Sequence, residues 1–167
     1  MDFVKRDWRV TILIEGEKEA LIISRMLKKK VYVNSDFDDY PVVITMKKKY
    51  TYREAGKIAR KLSSLYIYNL FYNVSGKKID SKKITKPYEH AYRKKVWKNT
   101  AMLNDIKDFR VIAKVFQDLG INLDEESYNG KILDVELPYN RTYSEAMIIA
   151  ARLGEGNVYN LIERTGE

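Results

Sequence analysis

The segment TYREAGKIARKL, residues 51–62, returns almost unchanged as TYSEAMIIAARL at residues 142–153. A shift of 91 residues aligns the two copies, and the same shift aligns Tyr-Asn-Leu at 68–70 with Tyr-Asn-Leu at 159–161. Identities that persist over one fixed shift without a gap indicate an internal duplication. The sequence therefore predicts that one structural unit occurs twice in the chain.

Both copies begin with Thr-x-x-Glu directly before an apolar helical pattern, which is the sequence of a capping box. In such a box the threonine hydroxyl accepts a hydrogen bond from the N3 amide, and the glutamate carboxylate accepts one from the N-cap amide. Thr51 with Glu54, and Thr142 with Glu145, are thus predicted to start two helices. This role accounts for the repeated glutamates without a catalytic function.

The two halves show the same order of elements around the capped helix. An apolar strand is followed by a helix, two short strands, the capped helix and a final strand, which is the order βαββαβ. The segments lie at 8–15, 17–30, 31–34, 40–46, 51–62 and 66–74 in the first half, and at 95–103, 104–120, 121–130, 131–139, 142–153 and 157–165 in the second. The same order defines the ferredoxin-like fold, an antiparallel sheet with two helices on one face.

We therefore predict an α+β protein made of two tandem degenerate ferredoxin-like (βαββαβ) repeats with antiparallel sheets. Repeat 1 is placed at residues 1–76, a basic linker at 77–94 and repeat 2 at 95–167. A single mixed α/β domain with a pseudo-two-fold axis is the alternative, and the duplication alone does not separate the two.

Composition limits the chemistry and the compartment. The chain has 167 residues and no cysteine, which excludes disulfides, thiolate metal sites and a cysteine nucleophile. No apolar run approaches the length of about 18 residues that a membrane span needs. The first residues, MDFVKRDWRV, lack the apolar segment of a signal peptide. We expect a soluble, cytoplasmic protein that binds no membrane.

The net charge of +8 is distributed unevenly along the chain. Residues 1–76 carry +6, residues 77–103 carry +7 and residues 104–167 carry −5. In the predicted topology the start of the first strand and the ends of the first helix and third strand of repeat 1 meet at one end. The predicted nucleic-acid-binding residues are Lys28, Lys29, Lys30, Lys47, Lys48, Lys49, Arg53, Lys77, Lys78, Lys82, Lys83, Arg93, Lys94, Lys95 and Trp97.

Lys47, Lys48 and Lys49 carry most weight in this prediction, because they precede a helix N-terminus, where the helix dipole disfavours positive charge. Clustered cations bind phosphates through counterion release, and neighbouring aromatic rings can stack on bases. We expect a nucleic acid, RNA or DNA, as the partner. The alternative partner is an acidic protein surface, and a homo-oligomer could form between basic repeat 1 and acidic repeat 2. The aromatic pattern of RNA-recognition motifs is absent from the strands at 40–46 and 131–139.

Three motifs resemble parts of catalytic families. ILIEGEKEA, residues 12–20, resembles the first motif of toprim domains, although Tyr50 and Tyr52 stand where the second motif needs acids. Glu15 with Asp36 and Asp38 is similar to the carboxylates of palm-type polymerase domains, which bind Mg²⁺.

His90 is the single histidine, and the tandem architecture resembles the ferredoxin-like endonucleases that process CRISPR transcripts. That resemblance implies RNA cleavage with a histidine as general base. No complete catalytic set is recognised, so we assign no catalytic residue, no metal and no cofactor. The sequence favours a non-enzymatic accessory or regulatory protein of viral type that binds nucleic acid. A protein-interaction module or inhibitor, and an RNA endonuclease, are the alternatives.

Overall fold

A computed structural model describes residues 4–27, 42–76, 94–123, 128 and 130–165. The elements are β1 (Trp8–Ile14), α1 (Glu17–Leu27), β2 (Val42–Thr45), α2 (Tyr52–Ser64), β3 (Asn69–Asn73), β4 (Trp97–Leu103), α3 (Ile106–Asp118), β5 (Leu133–Glu136), α4 (Tyr143–Glu155) and β6 (Asn160–Arg164). The strand predicted at 31–34 lies outside the described residues. Residues 121–123, at the start of the weak strand predicted near 121–130, are not in a strand.

The described strands form one antiparallel sheet in the order β2-β1-β3-β6-β4-β5. Within each half, the first strand pairs with both of its partners, as β1 does with β2 and β3, and β4 with β5 and β6. The halves join where Asn69 of β3 lies opposite Asn160 of β6. The strands β1, β2 and β3 correspond to β4, β5 and β6, and equivalent strands lie at equal distances from the two edges of the sheet. A pseudo-two-fold axis perpendicular to the sheet therefore relates the halves.

Equivalent residues confirm the duplication in three dimensions. Trp8 pairs with Asn73 and bridges to Tyr50, and Trp97 pairs with Arg164 and bridges to Arg141. Trp8 and Trp97 are thus equivalent although their separation is 89 residues rather than 91, which is why the ungapped alignment does not match them. Both capping boxes, Thr51 with Glu54 and Thr142 with Glu145, are complete.

The central helices connect the two halves, because α2 packs on β6 as well as on β3 and β1, and α4 packs on β3 as well as on β6 and β4. Gly56 and Met147, which are equivalent residues, lie next to each other at the contact between α2 and α4. The buried Asn69 and Asn160 side chains each donate to a carbonyl of the preceding helix, at Ala59 and Ala150. One hydrophobic core therefore contains residues of both halves.

The structure confirms an α+β fold with alternating strands and helices. The described strands of the two halves form one six-stranded sheet, whereas two tandem repeats were predicted to have a separate sheet each. The β3–β6 pairing that joins them is a long-range contact, which the local patterns of strands and helices do not encode. Among the described helices, none has the length and apolar character needed to cross a membrane.

Candidate nucleic-acid interface

Lys47, Lys48 and Lys49 form the loop that links β2 to α2, and all three are exposed. The loop is fixed at one end of the sheet, because the Trp8 amide donates to the Tyr50 carbonyl at 2.9 Å and the Tyr50 amide donates to the Trp8 carbonyl at 2.7 Å. The lysines thus lie beside the start of β1, as the sequence predicted. The ammonium of Lys48 stands 5.7 Å above the centre of the Tyr50 ring.

The capping glutamate of α2 faces this cationic loop. Arg6 forms an ion pair with Glu54 at 3.1 Å. The pKa of Glu54 is lowered, first by the backbone hydrogen bond from Thr51 and also by the charges of Arg6 and Lys48. Because one carboxylate faces several cations, this end of the molecule keeps a strong positive excess.

The fold does not require lysines in this loop. The loop of the same length in repeat 2 has Pro138, Tyr139 and Asn140 at the equivalent positions and also leads into a capped helix. Tyr139 adopts a left-handed backbone conformation with a φ of 70°, so the two loops differ in local path. Since a loop with no charge at these three positions makes the same connection, a structural role does not explain the three lysines.

The cationic surface continues along α2. Arg53, Lys57 and Lys61 are exposed and follow one another at intervals of four residues, so they lie on neighbouring turns of one helical face. Arg60 lies beside this row, with its guanidinium 5.3 Å from the centre of the Tyr143 ring. We call the six exposed residues of the loop and helix the α2 basic surface: Lys47, Lys48, Lys49, Arg53, Lys57 and Lys61.

In repeat 2 the equivalent helix, α4, carries no such row of exposed cations. The positions equivalent to Arg53 and Lys57 are Ser144 and Ile148, and both are buried. Arg152, the equivalent of Lys61, forms an ion pair with Asp118 of α3 at 3.1 Å. Thus α3 covers the outer face of α4, whereas the corresponding face of α2 is exposed.

Sequence reasoning identified Arg53 but missed Lys57 and Lys61. The signal was present as the spacing of cations in YREAGKIARKL. Whether these cations form a surface depends on which side of the helix faces solvent. In repeat 2 the equivalent helix, α4, is buried on that side. Burial by a neighbouring helix is a tertiary property, which the local pattern does not reveal.

The structure places Lys94, Lys95 and Trp97 at the opposite end of the sheet from the lysine loop. β4 runs antiparallel to β6 and starts opposite Arg164, whereas β1 starts opposite Asn73. The path from one end to the other runs four residues along β3, from Asn73 to Asn69, and then four residues along β6, from Asn160 to Arg164. At roughly 3.3 Å per residue, the two ends are about 26 Å apart along the strands. Those predicted residues that the structure describes therefore lie at two opposite ends of the sheet.

Trp97 is buried, and its ring packs on Tyr143 with the centroids 4.8 Å apart. Its indole belongs to the core and does not present a face to a ligand. The remaining predicted binding residues lie outside the described part of the chain: Lys28, Lys29, Lys30, Lys77, Lys78, Lys82, Lys83 and Arg93.

The sheet face opposite the helices carries acidic side chains, including Asp134 on the edge strand β5 and Glu15 just after β1. Tyr68 hydrogen-bonds to Asp134 of the other repeat, and its pKa is raised by burial, by this bond and by the charges of Glu163 and Glu15. The pKa of Glu15 is itself raised, first by partial burial and then by the charges of Glu19 and Asp134. Negative charge here disfavours phosphate binding, so the α2 basic surface is the better candidate interface.

The residues considered for catalysis are not assembled into a site in the described structure. Asp36, Asp38 and His90 lie outside the described residues, and Glu15 is exposed. Over the described ranges, no group of three or more histidine and acidic side chains is placed to hold a metal ion. Tyr52, which stands at a position where a toprim site needs an acid, is buried and packs edge-on against Trp8 at 4.9 Å.

Comparison with known proteins adds no assignment: no protein-family model, no curated protein and no solved structure matches this chain.

Proposed function

We propose that the protein is a non-enzymatic accessory or regulatory protein that binds nucleic acid through the α2 basic surface. The observation that carries the proposal is the asymmetry between the repeats. Related helices and loops occur twice, and one copy presents six exposed cations where the other has buried or uncharged residues and one paired arginine. Since the fold tolerates both versions, the cations of repeat 1 are best explained by a polyanionic partner.

The chemistry of the surface suits phosphates. Lysine and arginine side chains neutralise backbone phosphates and release condensed counterions, so binding of this kind weakens steeply as salt is added. Six contacts would give a slope of log K against log salt of about −5 for a duplex and about −4 for a single strand. This charge-based attraction needs no particular base sequence.

We also propose that each half is a degenerate ferredoxin-like repeat. In support, the first strand of each half lies between the other two described strands, and all four described helices contribute buried residues to one core. A four-stranded ferredoxin-like sheet has its first strand in the same central position. The predicted boundaries at residues 76 and 95 then separate two repeats that share a sheet.

The test is fluorescence anisotropy of labelled single-stranded RNA, single-stranded DNA and duplex DNA with the full-length protein at several salt concentrations. The variant Lys57→Ser/Lys61→Ser is expected to weaken binding by about tenfold and to flatten the salt slope by roughly 1.5 units. The matched control is Lys107→Ser/Lys114→Ser, which removes two exposed lysines from α3. The control should bind like the unmodified protein.

Two results would contradict the proposal. One is the absence of binding to every nucleic acid at low salt. The other is an equal loss of affinity in the α2 and α3 variants, which would indicate a general effect of net charge. The α2 basic surface would in either case be assigned to an acidic protein partner, which includes the acidic repeat 2 of a second copy.

A further inference from the structure

Tyr66 occupies an unfavourable backbone position at the end of α2. Its φ is 59°, in the left-handed region where side chains other than glycine and asparagine are rare. The amide of Tyr66 donates to the carbonyl of Ser63, and the amide of Ile67 donates to that of Leu62. These two bonds form the Schellman motif, which closes a helix with a left-handed residue.

The same motif ends two other helices with residues that suit it. Gly120 follows α3 with a φ of 81°, and Asn157 follows α4 with a φ of 63°. Asn157 is the repeat 2 equivalent of Tyr66. Glycine has no Cβ and asparagine tolerates this region, whereas a tyrosine incurs strain there.

Packing does not compensate for this strain, because Tyr66 is 73% exposed. A strained residue that makes little core contact is most readily explained by a function of its side chain. The feature that repeat 1 gains from this residue is an aromatic ring on the surface.

Tyr66 follows the last cation of the α2 basic surface in the chain, just past the C-terminal end of α2. Arg53, Lys57 and Lys61 advance along α2 by about 6 Å per step, at 1.5 Å per residue, and Tyr66 is five residues beyond Lys61.

We propose that the α2 basic surface binds a single-stranded nucleic acid whose phosphates follow α2 and one of whose bases stacks on Tyr66. This inference rests on the proposed function and narrows its ligand. A row of cations that ends at an exposed aromatic ring combines the two elements of single-strand recognition, backbone neutralisation and base stacking. The bases of a duplex are stacked on each other, so a duplex does not use the ring.

The experiment compares one labelled 20-nucleotide strand with the same strand annealed to its complement, as DNA and as RNA, by anisotropy. Tyr66→Leu removes the aromatic face while keeping an apolar side chain, and Tyr66→Phe keeps the ring. We expect the unmodified protein to prefer the single strand. Tyr66→Leu should weaken single-strand binding about 5- to 30-fold and leave duplex binding unchanged, and Tyr66→Phe should bind within about twofold of the unmodified protein.

A third variant, Tyr66→Asn, separates binding from folding. Because asparagine suits the left-handed position, this variant should raise Tm by about 2–4 °C and still lose single-strand affinity. A loss of binding in a more stable protein would show that the ring acts on the ligand. The DNA and RNA arms identify the sugar that the surface accepts.

The inference falls if the duplex binds as tightly as the single strand, or if Tyr66→Leu keeps full single-strand affinity. In either case, binding that still depends on Lys57 and Lys61 would leave the proposed function standing. If neither the strand nor the duplex binds the unmodified protein at low salt, the proposed function itself fails. The two failures are therefore distinguishable in one set of titrations.

Discussion

Gly154 shows how closely the two repeats approach. A Cβ at this position would come within 2.2 Å of the Phe71 carbonyl oxygen, which belongs to the backbone of β3 in the other half. Ser63 is the equivalent residue, and its hydroxyl accepts a hydrogen bond from the Ile162 amide of β6 at 3.0 Å. The two related helices therefore contact the opposite strand in different ways, by direct backbone contact and through a hydroxyl.

We predict that Gly154→Ala lowers the free energy of unfolding by about 3 kcal/mol, because a backbone carbonyl cannot move aside as a side chain can. The measurement is urea denaturation followed by circular dichroism. Gly56→Ala is the comparison, since its new Cβ would meet the flexible end of Met147. Equal stability losses in the two variants would show that the approach of α4 to β3 is looser than the structure indicates.

At the scale of elements, substitutions in the β2–α2 loop test whether its positive charge contributes to the stability of the fold. The variant Lys47→Ser/Lys48→Ser/Lys49→Ser should have a free energy of unfolding within about 0.5 kcal/mol of the unmodified protein or above it, because cations near a helix N-terminus are unfavourable. Its affinity for nucleic acid should fall by at least tenfold. Thermal unfolding and anisotropy on the same preparation measure both quantities.

Arg6→Ser serves as the control for this variant, because Arg6 lies at the same end but forms an ion pair with Glu54. It should affect binding less than the triple substitution. If the triple variant is destabilised and still binds, the lysines belong to the fold and the interface lies elsewhere.

Local sequence patterns predicted the positions of helices and strands better than the burial or exposure of their side chains. The capping boxes at Thr51 and Thr142 fixed two helix starts, because the residues that make the hydrogen bonds lie within four positions in the chain. The exposure of Lys57 and the burial of its equivalent Ile148 could not be predicted, since they depend on whether another helix covers that face. Trp97 is predicted to contact nucleic acid because its neighbours in sequence are basic, whereas its ring is buried against Tyr143.

At the scale of the whole molecule, the duplication predicted two similar units but not how they meet. The halves share one sheet through Asn69 and Asn160, and each central helix packs on a strand of the other half. These contacts join residues about 90 positions apart, so no local pattern specifies them. They also separate the predicted basic residues, because the symmetry places the start of β1 and the start of β4 at opposite ends.

This exchange of contacts predicts that the two repeats unfold together. Each repeat contains one of the two tryptophans, Trp8 or Trp97, and both are buried, so each indole reports the repeat in which it lies. In Trp97→Phe the fluorescence follows repeat 1, and in Trp8→Phe it follows repeat 2. Within each variant, the urea transition measured by fluorescence should coincide with that measured by circular dichroism, as a two-state transition requires. A fluorescence midpoint that precedes the circular dichroism midpoint in either variant would mean that one repeat unfolds while the other stays folded, and that the shared core couples them less strongly than their packing indicates.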